Sequence, residues 1–158
     1  RMRYEGAEVV RELAATAHRG GERIRRVFLI MGGNDVSTGR DGANKPISVD
    51  DFGEACEKII SEARKGFPFA SLHHFGLLAR DDTIEDLRKD CEAVLRQVCV
   101  KNNVEYIPLR NVIRLGRDMC QHENPRVHVN KLGARKIAQK INQRLSSAVS
   151  SPPPALSL

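Results

Sequence analysis

The chain has almost nothing with which to stack a nucleic-acid base: no tryptophan, five phenylalanines and two tyrosines among 158 residues. Single-strand binding modules lay bases on aromatic platforms, and none is interleaved with the basic residues of this chain. It also lacks paired cysteines. Cys56, Cys91, Cys99 and Cys120 lie far apart and form no CxxC, so they read as reduced thiols of an intracellular protein, with Cys91 and Cys99 on one helix. Cys120 and His122 alone are too few for zinc, and neither metal nor cofactor is expected. Long apolar runs are missing too. The start, Arg1-Met2-Arg3-Tyr4-Glu5, has no signal-peptide core, and no later run approaches the roughly 18 apolar residues of a membrane span. Because the first residue is not methionine, the chain reads as an excised or processed piece.

Acid is missing from one region in particular. Arg126, Lys131, Arg135, Lys136, Lys140 and Arg144 are the charged residues from 126 to 144, in a chain of net charge +6. Such a run either solvates the outer face of a terminal helix or forms an electrostatic footprint for phosphates. Lys136, Lys140 and Arg144 recur at helical spacing and are the candidates for contacting RNA or an anionic lipid surface.

What is present is a regular alternation of periods. Apolar residues at helical spacing run through Ala7–Ala17 and stop at Gly20-Gly21. A second helix is expected after Ser48, a candidate N-cap with Asp51 three residues on, and carries Phe52, Ala55, Cys56, Ile59, Ile60 and Ala63 until Gly66 and Pro68. A third opens near Asp82-Thr83 with Ile84, Leu87, Cys91, Val94, Leu95 and Val98 on one side, and a fourth covers about residues 131 to 145. Between them lie three strand patterns: Arg26–Met31, Phe69–Leu78 and Val104–Leu109. Within the second, His73 and His74 point to opposite faces and read as packed side chains. The βαβα alternation predicts a three-layer α/β/α domain with a mostly parallel sheet over residues 1–145. Residues 146–158, rich in serine, proline and alanine, are expected to be a disordered tail.

The first strand is the most informative. Val27-Phe28-Leu29-Ile30-Met31 is unbroken and apolar, as in a strand buried on both faces, and it ends abruptly in Gly32-Gly33-Asn34-Asp35. Taken alone, those four residues are satisfied by a tight turn. They also stand where open α/β sheets bind ligands, at the carboxyl end of a strand.

Two further pieces fall into line with it: Gly6, before the first helix, and His128 in His128-Val129-Asn130-Lys131-Leu132-Gly133, before the last. A glycine, a Gly-x-Asn-Asp after a buried strand and a histidine ahead of the terminal helix, in this order, resemble the SGNH hydrolases, or GDSL esterases, over about Tyr4 to Leu145. Leu78-Ala79-Arg80 extends the match, with Ala79 where the family often has proline. The final motif is most similar to the esterase-like domains of first-open-reading-frame proteins of animal non-LTR retrotransposons.

The resemblance implies a flavodoxin-like sheet and an acyl-ester hydrolase acting on a small ester. Asn34 would give its side-chain amide and Gly6 its backbone N–H to the oxyanion, and His128 would be the general base. The family's serine lies in a Gly-Asp-Ser motif upstream of the position of Gly6, and only five residues precede Gly6 here. The sequence therefore reads as lacking the family's first strands, and as inactive in this form, with the strand at Arg26 left as an open edge. Ser37, Ser48 and Ser71 are the remaining conceivable nucleophiles. The family aspartate three residues before the histidine is replaced by Pro125, with Glu123 or Asn124 as substitutes. The alternative is a catalytically dead SGNH-like module that binds RNA or anionic lipid through the basic helix.

Overall fold

The computed structural model describes residues 5–21, 23–33, 35–37, 45–78, 80, 83–110, 112–114, 116–121 and 128–147. In chain order the elements are α1 (Glu5–Arg19), β1 (Arg26–Leu29), α2 (Val49–Gly66), β2 (Ser71–Phe75), α3 (Glu85–Lys101), β3 (Glu105–Ile107) and α4 (Lys131–Ser147). The strands form a parallel sheet in the order β1-β2-β3. Among the described residues, the far edge of β1 has no strand beside it.

Alternation along the strands divides the interior in two. Val27, Leu29 and Leu72 face the layer made by α1, α2 and α3, where Phe52, Ile59, Ile60 and Leu95 are buried. Phe28, Phe75 and Ile107 face the opposite side, where Ile137 and Ile141 of α4 close over them. Each fully buried large apolar side chain contributes roughly 1.5–3 kcal/mol. This is the predicted α/β/α sandwich. His73 and His74 take opposite faces and both are buried; His73 stacks on Phe28 with ring centroids 4.6 Å apart.

Several boundaries follow from local chemistry. The Ser48 hydroxyl accepts from the backbone N–H of Asp51 at 3.1 Å, capping α2 as expected. β1 stops at Leu29 because the chain turns at Gly32, whose φ of +95° and whose closeness to Leu77 and Phe52 exclude a side chain. β2 is shorter than its apolar run, since Ala70 bonds back to the Phe67 carbonyl in a turn and Phe69 is 86% exposed. α3 starts at Glu85, two residues later than expected. Thr83 is occupied instead, its hydroxyl accepting from the Arg80 N–H at 2.9 Å and its backbone bridging to Ser37.

Two polar assemblies tie the elements together. Arg64 near the end of α2 donates to the carbonyls of Ala70, Asn102 and Asn103, joining the entrance to β2 and the end of α3. Glu92, buried in α3, accepts from Arg88 at 2.5 Å and from the hydroxyl of Tyr106 on β3; Arg88 also pairs with Glu85 at 2.7 Å. Burial and the bond to Glu92 push the Tyr106 phenol up to about 12.

Candidate functional site

α4 runs antiparallel to the sheet. Near its end Arg144 pairs at 2.9 Å with Glu105, the first residue of β3, so its start lies beyond the carboxyl ends of the strands. The loop before it is held in place there. Cys120 donates its N–H to the His128 carbonyl at 2.9 Å, and Met119 bridges to Val129. Asn130 fastens both sides: its Oδ1 accepts from the N–H groups of Leu132 and Gly133, an N-cap, while its Nδ2 donates to the carbonyls of Arg117 and Met119. A side chain on Gly133 would collide with the Asp118 carbonyl. These contacts explain why the Asn130-to-Gly133 motif has its composition, and they leave the His128 side chain exposed at the rim.

Gly6 is at the same pole. An ideal Cβ there would lie 2.8 Å from Ile59 and 3.9 Å from the sulfur of Met31, just past β1. In the first turn of α1 its N–H is among the four that helical bonding leaves without a partner. Gly32 and Gly33 form the turn beyond β1, and the Arg80 guanidinium lies against Gly33, its Nη1 3.7 Å from where a Cβ would stand. Arg80 also reaches the Ser37 hydroxyl at 3.5 Å. Gly6, the Gly32-Gly33 turn, Arg80 and the His128 loop therefore all lie toward the carboxyl ends of the strands. Asn34, Glu123, Asn124, Pro125 and His122 lie outside the described residues.

Of the conceivable serines, Ser37 is wholly buried and Ser48 is spent on the cap of α2, while Ser71 opens β2 at the opposite, amino pole. An apolar pocket of about 350 Å³ also lies there, between the end of α1 and the Gly66–Phe69 turn, and none of the predicted site residues lines it.

The basic helix differs from its sequence reading. Lys136 pairs at 2.5 Å with Asp118, whose buried carboxyl is held below its usual range by that bond, and Arg144 pairs with Glu105. Two of the three predicted contact residues are therefore matched by acids from outside the acid-free stretch. Lys140 joins Arg114, Arg117, Gln139 and Gln143 around an open groove of about 390 Å³ that also includes Lys136. Arg114 and Arg117 were not foreseen, because they belong to an irregular segment without period. Among the described residues no group of three or more metal-binding side chains occurs, and no helix is long and apolar enough to cross a membrane.

No protein-family model matches the chain, and no curated protein matches it in sequence. Solved structures do share its architecture. A carbohydrate esterase family 3 protein from Talaromyces cellulolyticus has a TM-score of 0.64 at 14% identity, covering 94% of this chain and 69% of its own. A protein from Lactobacillus plantarum has a TM-score of 0.55 at 18% identity, covering 76% of this chain and 66% of its own. At such identities the similarity is one of fold, and the fold of this chain is SGNH hydrolase-like.

Proposed function

We propose that this chain carries the oxyanion-binding and proton-accepting part of an SGNH-type acyl-ester hydrolase site, working on a small ester in an intracellular setting. The observation that carries the reading is the esterase-like fold with Gly6, the Gly32-Gly33 turn and the His128 loop at its carboxyl pole. Asn34 and Gly6 would supply donors where negative charge develops, each worth about 2.7–4 kcal/mol in the transition state. His128 would take the serine proton, with Glu123 or Asn124 orienting its ring in place of a family aspartate. The guanidinium of Arg80 adds positive charge beside the Gly32-Gly33 turn.

The 158-residue chain is expected to bind product-like carboxylates at this pole. An NMR titration with acetate tests the reading. Shifts at the Gly6 amide and the Asn34 side-chain amide, weakened by His128→Ala, are the expected result. Unmoved signals at both amides would sink it.

A second reading is favoured by the groove of Arg114, Arg117, Lys136 and Lys140, which offers several cations to RNA or an anionic lipid surface. Binding to single-stranded RNA should then weaken with salt, by a logarithmic slope of about −0.7 per neutralised phosphate. Changing Arg114, Arg117 and Lys140 to glutamine should flatten that slope; equal slopes would leave the groove a solvated surface.

A further inference from the structure

At the amino pole, remote from the His128 loop, the sheet register aligns three side chains. Ser71 and His73 are two residues apart on β2 and so project from one face, and His73 stands directly beside Glu105 on β3. Ser71 Oγ lies 3.1 Å from Nε2 of His73, and Nδ1 of His73 lies 2.6 Å from Oε2 of Glu105. The second carboxylate oxygen, Oε1, is held by Arg144 at 2.9 Å. Phe28 stacks on the imidazole with the rings 19° from parallel, so the ring is fixed in its plane as well as at its edges.

This connectivity sets the proton positions. An ionised Glu105 accepts, so Nδ1 carries the proton and Nε2 presents its lone pair to Ser71. Among the described residues the other acceptor near the serine hydroxyl is the Arg25 carbonyl, at the longer distance of 3.4 Å. Nucleophile at Nε2 and carboxylate at Nδ1 is the arrangement that general-base activation of a hydroxyl requires. Access fits as well: Ser71 is exposed while His73 is only 7% exposed, so an ester can reach the oxygen while the base stays shielded.

The geometry points to Ser71, His73 and Glu105 as an acyl-accepting serine site for small activated esters such as aryl acetates, separate from the carboxyl pole. Ser71 Oγ attacks the ester carbonyl carbon as its proton passes to Nε2. The adduct collapses with cleavage of the bond to the aryl oxygen, which takes the proton from Nε2 and leaves as a phenol. The acyl group remains on Oγ.

The test is incubation of the full chain with 4-nitrophenyl acetate, following phenolate release and mapping acetylated peptides by mass spectrometry. One acetyl group on Ser71 is expected, lost in Ser71→Ala. His73→Gln should slow the acetylation about 100-fold or more, as loss of a general base does. Glu105→Gln should slow it too, and because Glu105 is partly exposed this variant carries the test should His73→Gln fail to fold. Acetylation elsewhere with none on Ser71, or a Ser71 rate unchanged in a folded His73→Gln or Glu105→Gln protein, would overturn the assignment. Acetate binding at Gly6 and Asn34 is read separately, so failure of one site leaves the other standing.

Discussion

Acid should unfasten this protein through a single imidazole before its carboxylates respond. His74 is 1% exposed; its Nδ1 donates to the Phe75 carbonyl at 2.6 Å, and its Nε2 is buried with no hydrogen-bond partner among the described residues. A proton on Nε2 would be a buried charge without solvation, and burial accordingly lowers the pKa from 6.5 to about 4. In the unfolded chain the ring binds a proton near its ordinary value. Between the two values the unfolded state holds more protons, so stability falls as pH falls through that window and is fully present above it. A separation of this size corresponds to about 3 kcal/mol, lost at roughly 1.4 kcal/mol per pH unit, against a typical total of about 5–15. Glu62, Glu85 and Asp118, whose pKa values are lowered by Lys65, Arg88 and Lys136, act later, losing their contribution only below about 4.5. The assay is urea unfolding followed by far-UV circular dichroism, since the chain has no tryptophan. His74→Leu should be nearly flat over the same pH window. If wild type and His74→Leu lose stability in parallel between about pH 6.5 and 4.5, the buried neutral ring is not the cause.

Asn130→Ala should cost about 1 kcal/mol for the lost cap, plus the two carbonyls left without its amide, and an unchanged melting temperature would contradict the role given to it. Gly133→Ala forces the start of α4 away from Asp118 and should destabilise by about 1–3 kcal/mol, read by the same melts. Burial raises the thiols of Cys56, Cys91 and Cys99, the last two to about 11. In the folded protein a disulfide reagent should therefore react with Cys120 first; rapid reaction of all four thiols would mean that the core opens readily.

The order of elements was legible because the first three helices carry their own apolar stripes, the first two end at glycines, and Ser48 caps locally through Asp51. Gly6, Gly32-Gly33 and His128 stood out in the sequence as a motif by resemblance alone. What escaped were relations that no short window contains. The partners of Lys136 and Arg144 lie 18 and 39 positions earlier in the chain, so an acid-free stretch looked like an acid-free face. Strand register joined His73 to Glu105 across 32 positions, and nothing in either neighbourhood specifies that register. Glu92 escaped as well: its spacing from Arg88 suggests an ordinary surface pair, and only its burial against Tyr106 makes it part of the interior.

Arg64 has a consequence for the order of events in folding. Of its three carbonyl partners Ala70 is local, but Asn102 and Asn103, at the end of α3, reach it only after α2 and α3 have converged. Those two non-local bonds are expected to form after the folding barrier is crossed, so that their loss is felt on the way out. Arg64→Met should leave the refolding rate nearly unchanged and speed unfolding, which makes this guanidinium a latch on the lifetime of the native state.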